Sequence, residues 1–346
     1  MVSQQSLLKI EELYVDFVSY DGVAKVLNGV NLQIDRGDIL GLVGESGCGK
    51  TVTSLTITGL ISSPPARIVS GKALFQGRDL LSMRPSEMRE LRARKIAIIF
   101  QDPSSNLNPL LTIGQQVTDA IICRRGQGST FRLSPFGALL PSVRDDRSAA
   151  QERGIELLTK VGIADVHSRM GSYSFEFSGG MRQRTLIAMA LGGEPELLIA
   201  DEPTTDLDVS TQSQVLRVVR NLVREMGLSV LWVTHNLGVV AQLCNRVAVM
   251  YAGNVVEDGP VTAIFREPKH PYSVGLLEAT PRRSREEGRL PTIPGSVPSL
   301  IDPPAGCRFN ARCPHATTRC REDPFPPTAT VGTGHRVACH LFTGNG

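Results

Sequence analysis

At 346 residues and 41% hydrophobic, the chain can bury a full α/β core, with an appendage beyond the roughly 150–250 residues of one domain. A formal net charge of +3, from 37 basic and 34 acidic side chains, is too mild for a nucleic-acid face, so no nucleic-acid partner is expected. The longest apolar runs, Ile96–Phe100 and Leu197–Ala200, fall far short of the roughly 18 residues that a membrane helix needs. Residues 1–10 lack the charged start, apolar stretch and small-residue cleavage site of a signal peptide, which predicts a cytoplasmic chain with reduced thiols.

Along the chain, residues 8–35 alternate apolar and polar side chains around a turn at Tyr20–Gly22, the pattern of paired antiparallel strands. A short apolar strand at Asp38–Val43 runs into a glycine-rich break, Gly44–Lys50, and a helix is predicted from about Gly49 to Leu60, stopped by Ser62–Pro65. A strand at Lys95–Phe100 precedes Gln101. From about 111 to 190 the pattern is helical, interrupted by Gly126–Ser142, whose Gly, Ser and Pro content reads as a mobile surface insertion. A buried strand at Leu197–Ala200, a helix at Ser210–Arg224 and strands at Ser229–Val233 and Arg246–Tyr251 follow. Strands alternating with helices predict a parallel sheet covered on both faces. Beyond Pro268 prolines multiply and periodicity fades, so 268–346 reads as an extension held by local devices and not by a large core.

Gly44-Glu45-Ser46-Gly47-Cys48-Gly49-Lys50-Thr51 fits the P-loop pattern G-x-x-x-x-G-K-[ST], between a strand and a helix as that pattern requires. Its glycines let successive backbone N–H groups face phosphates, and the helix N-terminus adds positive potential. Lys50 would reach the β- and γ-phosphates of a nucleotide and Thr51 would offer a hydroxyl to Mg²⁺. Cys48 reads as a small filler. Leu197–Glu202 is a buried strand ending in two carboxylates; Asp201 is placed for the Mg²⁺ shell and Glu202 to orient or deprotonate the attacking water. An isolated acidic pair at a strand end would more simply be solvated, but the P-loop gives this pair a use.

Phe177-Ser178-Gly179-Gly180-Met181-Arg182-Gln183-Arg184 resembles the signature motif of the ABC ATPase family. A serine and two glycines opening a helix make a second anion site. The resemblance implies that Ser178, Gly179 and Gly180 bind the γ-phosphate of ATP held by the P-loop of a partner subunit, so that one chain supplies two half-sites. It further implies a Q-loop glutamine at Gln101, touching Mg²⁺ or water, a switch histidine at His235 on the γ-phosphate, and an adenine-stacking aromatic at Phe17, with Tyr20 as the alternative. Thr205-Asp206-Leu207-Asp208 resembles the D-loop, although Asp206 stands where the family usually has a small residue. The implied fold is a P-loop NTPase (RecA-like) α/β core with an antiparallel β subdomain, a helical subdomain and a Cys-rich C-terminal extension. The expected division is an ATPase domain over 1–267, its helical subdomain over about 111–190, and the extension over 268–346.

Cys307, Cys313, Cys320 and Cys339 crowd that extension at spacings unlike the C-x-x-C pairs of common zinc modules. Four thiolates could still staple a small extension around a metal, and spacing alone leaves Zn²⁺, an iron–sulfur cluster and unliganded thiols open. The segments Ile293–Leu300, Gly306–Phe309, Arg312–Pro314 and Cys339–Leu341 resemble the C-terminal extension of oligopeptide/dipeptide transporter ATPases, some of which bind a [4Fe-4S] cluster through four cysteines. The resemblance thus implies a peptide importer's ATPase on the cytoplasmic face of the membrane. Its partners would be a second, different ATPase, two transmembrane permease subunits and an extracytoplasmic substrate-binding protein. Tyr173-Ser174-Phe175-Glu176 departs from the usual Tyr-Pro-His-Glu, and related importers carry oligosaccharides or nickel. A soluble ABC ATPase of DNA repair or translation would usually show a coiled-coil insertion or tandem ATPase units, which this chain lacks.

Overall fold

The computed structural model describes residues 6–102, 105–124, 141–205, 207–280 and 292–343, with the backbone alone over 141–145. The chain forms two compact units, Met1–Ser82 together with Trp232–Gly346, and Met83–Leu231.

In the first stretch of the first unit, β1 (Ser6–Ser19) and β2 (Gly22–Asp35) pair antiparallel around the expected turn. The wholly buried β3 (Ile39–Val43) leads into α1 (Lys50–Thr58). Two further strands, β4 (Ala66–Phe75) and β5 (Arg78–Asp79), complete an antiparallel sheet of order β2-β1-β4-β5.

The second unit comprises α2 (Pro85–Arg94), β6 (Ile96–Ile99), α3 (Ile113–Arg124), α4 (Pro141–Lys160), α5 (Val166–Arg169), α6 (Gly179–Leu191), β7 (Leu197–Asp201) and α7 (Val209–Met226). Strands β6 and β7 are parallel, with Ile96 opposite Leu197. Helices α3, α4 and α6 pack together, burying Ile113, Val117, Ile121, Leu157, Leu158 and Ile187. Helix α7 is amphipathic, with Val215, Leu216, Val219 and Leu222 on its buried stripe, and it stops at Gly227 with φ of 64°. Of the expected insertion, residues 126–140 lie outside the described residues, and Pro141 and Ser142 open α4.

Strand β8 (Ser229–Thr234) begins in the second unit and ends in the first. The first unit then continues through α8 (Leu237–Leu243), β9 (Arg246–Tyr251), β10 (Asn254–Pro260), α9 (Val261–Arg266), α10 (Pro271–Glu278), α11 (Thr318–Glu322), β11 (Thr328–Gly332) and β12 (His335–Ala338). Its second sheet runs β11-β12-β10-β9-β3, with β3 and β9 parallel and the other pairs antiparallel.

The expectation that 268–346 lacks a share in a large core is not met. Tyr272, Leu277, Cys307, Phe309 and Cys320 are buried in one cluster with Val43, Val249 and Tyr251, and Ile293, Val297, Leu300 and Phe325 pack against it. Ile293, Val297 and Phe325 dock singly between prolines, so most of the extension shares a core without showing any periodicity. Buried charge fixes the register of its strands. The Asp258 carboxylate accepts from Arg246 at 2.9 Å and from Arg336 at 2.8 Å. Glu257, fully buried, accepts from the backbone N–H groups of Lys269 (2.8 Å) and His270 (2.9 Å) and bonds the His335 ring at 2.7 Å. A buried carboxylate with several donors is the arrangement that makes its burial tolerable.

His270 caps α10, its Nδ1 accepting the Tyr272 N–H at 3.1 Å, so this nitrogen carries no proton. Burial pushes the ring pKa from 6.5 down to about 3. The neutral ring is therefore the folded form, and its contribution is present above its unfolded pKa of 6.5 and is lost as pH falls toward 3. Chemical denaturation at about pH 7 and about pH 5 tests this: the wild-type chain should lose on the order of 2 kcal/mol more than His270→Asn, which keeps a cap that does not titrate.

Candidate functional site

The first unit carries the glycine-rich loop. It leaves β3 at Gly44, whose φ is 159° and whose added Cβ would lie 2.1 Å from the Met250 carbonyl oxygen. Only glycine fits against that carbonyl. The loop ends at Gly49 (φ 107°), the N-cap of α1, which has no side chain to offer the first turn, while the Cys48 sulfur takes the Lys50 N–H. The first-turn N–H groups lie at the positive end of a helix dipole, which is what an anion site requires. Lys50 is 5% exposed and folds back on the loop, its Nζ donating to the carbonyls of Gly44 (2.9 Å) and Glu45 (3.1 Å). Thr51, Ser46 and Gly47 are exposed, whereas burial raises the pKa of the Cys48 thiol, in keeping with a filler.

Also in the first unit, Phe17 is half-buried on β1, opposite Ala24 and Ala66, and Tyr20 is fully exposed at the turn. His235 is exposed directly after β8.

The second unit holds the remaining candidates. Gln101 is exposed just beyond β6, and Asp201 is buried at the end of β7. Glu202 has φ of 47°, an unfavourable backbone conformation for a non-glycine residue, and its Oε2 accepts from the Thr205 hydroxyl at 3.1 Å. Ser178 caps α6, accepting the Met181 N–H at 3.3 Å. Ser178 and Gly179 are exposed; Gly180 is buried, and a Cβ there would meet Thr211 Cγ2 of α7 at 2.1 Å. Asp208 caps α7 through the N–H groups of Ser210 and Thr211, and the hydroxyls of Thr211 and Ser210, with these N–H groups, hold its carboxyl well below the usual range. Asp206 lies outside the described residues.

In the extension, Cys307, Cys320 and Cys339 are buried and Cys313 is partly so. Three of the sulfurs accept from a backbone N–H two residues on: Phe309 for Cys307, His315 for Cys313 and Leu341 for Cys339. Burial pushes the Cys307 thiol up to about 12, and the charges of the other three cysteines reinforce this. Among the described residues, however, no three or more His, Cys, Asp or Glu side chains are arranged to hold a metal ion. The structure therefore gives neither Zn²⁺ nor a cluster a preformed ligand cage. Sequence reading also passed over Arg312, which pairs with Glu45 of the glycine-rich loop; a contact between residues 267 apart leaves no local signal.

Comparison with known proteins follows the same lines. Residues 27–205 match the ABC transporter family, and residues 256–320 match the C-terminal region of oligopeptide/dipeptide transporters. The chain is 45% identical to the "Probable peptide ABC transporter ATP-binding protein" of Sinorhizobium fredii, covering 96% of this chain and 94% of the relative. It is 41% identical to the dipeptide transport ATP-binding protein of Bacillus subtilis, with 97% and 95% covered. Identity to that organism's oligopeptide transport ATP-binding protein is 42%, with 99% and 90% covered. A dimeric bacterial ABC transporter cassette matches the fold with a TM-score of 0.60 at 25% identity, over 73% of this chain and 98% of that one. For cbiO1 of Clostridium perfringens, part of the ABC transporter complex cbiONQ, the TM-score is 0.61 at 27% identity, over 76% and 92%.

The Gly180 contact is open to a two-step test. Gly180→Ala should cost about 1–3 kcal/mol of stability by overpacking, and Thr211→Ser in the same chain, which deletes the Cγ2 in the way, should return most of it in urea unfolding.

Proposed function

This chain belongs to the ABC transporter family, and from that premise we propose that it is the ATP-hydrolysing subunit of an importer of dipeptides or oligopeptides. The observation that carries the reading is the pairing of a glycine-rich loop that opens a helix with an oligopeptide/dipeptide-type C-terminal region in one chain, matched nearly end to end by peptide transport relatives.

The residues act as follows. ATP phosphates displace the loop's own carbonyls from Lys50, so that its ammonium moves to the β- and γ-phosphate oxygens while N–H groups of the loop and of the first turn of α1 close around them. Phe17 stacks on adenine. Thr51, Gln101 and Asp201 offer hard oxygen donors of the kind Mg²⁺ takes, and the ion would neutralise charge developing between the β- and γ-phosphates. Glu202 orients the attacking water and accepts its proton; the bond from γ-phosphorus to the bridging oxygen breaks, releasing ADP and phosphate. His235 and Lys50 hold the γ-phosphate oxygens. Ser178, Gly179 and Gly180 complete the site of a facing subunit, which makes the working unit a dimer; two different ATPases are proposed for it. The ATPase domain spans 1–267, with a helical subdomain over about 111–190, and the extension spans 268–346.

No described helix is long and apolar enough to cross a membrane. The chain would sit at the cytoplasmic face on two permease subunits fed by an extracytoplasmic binding protein. Cys307, Cys313, Cys320 and Cys339 are proposed to hold a [4Fe-4S] cluster. The N–H donors on three of the sulfurs, which favour the thiolate form, support this reading, while burial and the neighbouring thiols act the other way.

ATPase activity of the reassembled transporter should rise with a mixed peptide pool and vanish in Glu202→Gln; stimulation by sugars or nickel alone would discard the peptide reading. Anaerobic purification should yield iron and sulfide bound to the chain, both lost when Cys313 and Cys339 become serine. Stoichiometric zinc without iron would discard the cluster.

A further inference from the structure

The glycine-rich loop holds an acid where phosphates should bind. Glu45 follows Gly44 directly, and an uncompensated carboxylate there would repel a polyphosphate. Its partner comes from the far end of the chain: Arg312 NH1 lies 2.8 Å from Glu45 Oε2, and NH2 lies 3.1 Å from Oε1, a two-pronged ion pair. Such pairs fix direction as well as charge. The guanidinium is itself held on every side. It donates to the Ile293 and Pro294 carbonyls at 3.2 and 3.0 Å and to the Tyr251 hydroxyl at 3.3 Å, and it lies 5.7 and 5.9 Å from the ring centres of Tyr251 and Phe309. With its side chain 6% exposed, Arg312 has little freedom to leave. The loop backbone is gripped at the same residue from a second direction, since the Glu45 N–H donates to the buried Tyr272 hydroxyl at 3.0 Å.

We infer that Arg312 is a positioning residue for the nucleotide site: it neutralises Glu45 and pins it away from the phosphates, so that the C-terminal extension sets how tightly the loop binds ATP. The inference rests on the reading of the loop as an ATP site. Removing Arg312 has two consequences of the same sign. The carboxylate turns from a paired group into a bare charge beside the cradle, and the loop loses an anchor that keeps its binding-competent shape populated.

Titration calorimetry of the full-length chain with a non-hydrolysable ATP analogue and Mg²⁺ tests this. Arg312→Ala should raise Kd about tenfold. Adding Glu45→Gln to Arg312→Ala should return Kd to within about threefold of Glu45→Gln alone, because the repelling charge has gone; Arg312→Lys should fall in between. In the reassembled transporter Arg312→Ala should raise KM for ATP and leave kcat at saturation within about twofold. An Arg312→Ala chain that binds within twofold of wild type overturns the inference. So does a double variant as weak as Arg312→Ala, since Arg312 would then act through its other contacts. If Arg312→Ala fails to fold, Arg312→Lys with and without Glu45→Gln gives the same comparison. A wild-type chain that binds no analogue at all instead overturns the ATP reading.

Discussion

A phosphate cradle cannot satisfy itself. Its work depends on backbone N–H groups that have no partner inside the protein, so the loop that carries them must be held in shape by everything except those groups. Here the holding is done from behind and from the side. The Met250 carbonyl closes on Gly44, the Tyr272 hydroxyl takes the Glu45 N–H, and Arg312 takes the Glu45 carboxylate. Lys50, parked on two loop carbonyls, keeps the cradle from collapsing until a phosphate offers better oxygens. The aromatic cluster of Tyr251, Tyr272, Phe309 and His270 is the rigid bed on which these supports lie.

The two helix starts that carry the family's phosphate motifs are treated differently. Helix α1 has no side-chain cap, whereas α6 is capped by Ser178, which spends its hydroxyl on the Met181 N–H. An uncapped start is ready for an anion at once; a capped one is stable alone and exchanges its internal bond for a phosphate when a partner presents one. The asymmetry suits the half-site proposed for Ser178, which would wait for a second subunit.

Short-range patterns were legible, and long-range partnerships were not. The Gly44–Thr51 and Ser178–Gly180 strings, the β1–β2 hairpin and the apolar β3, β6, β7 and β8 carry their meaning in neighbouring residues, so periodicity and turn chemistry suffice. Strand β10 was not anticipated, since Asn254-Val255-Val256-Glu257-Asp258-Gly259-Pro260 holds only two apolar strand formers beside acids, Gly and Pro; its carboxylates are buried because Arg246, His335 and Arg336 meet them. The extension looked coreless for a related reason, since single apolar residues between prolines dock onto a core built elsewhere. The candidate site residues were named from motifs and the resemblance, but the Arg312–Glu45 pair that supports the loop was not legible there.

The division of the chain into units bears on how it is made. The first unit is assembled from Met1–Ser82 and Trp232–Gly346, with the second unit threaded between them. On a ribosome, Met83–Leu231 emerges whole and can fold while the first 82 residues wait for β9, β10 and β12. During that wait the apolar edge of β3 and the glycine-rich loop have none of their later supports. The glycine-rich loop is thus among the last parts of the protein to mature, and a chain truncated before β12 would leave the ribosome with Glu257 short of His335 and Asp258 short of Arg336, two buried carboxylates with only part of their compensation.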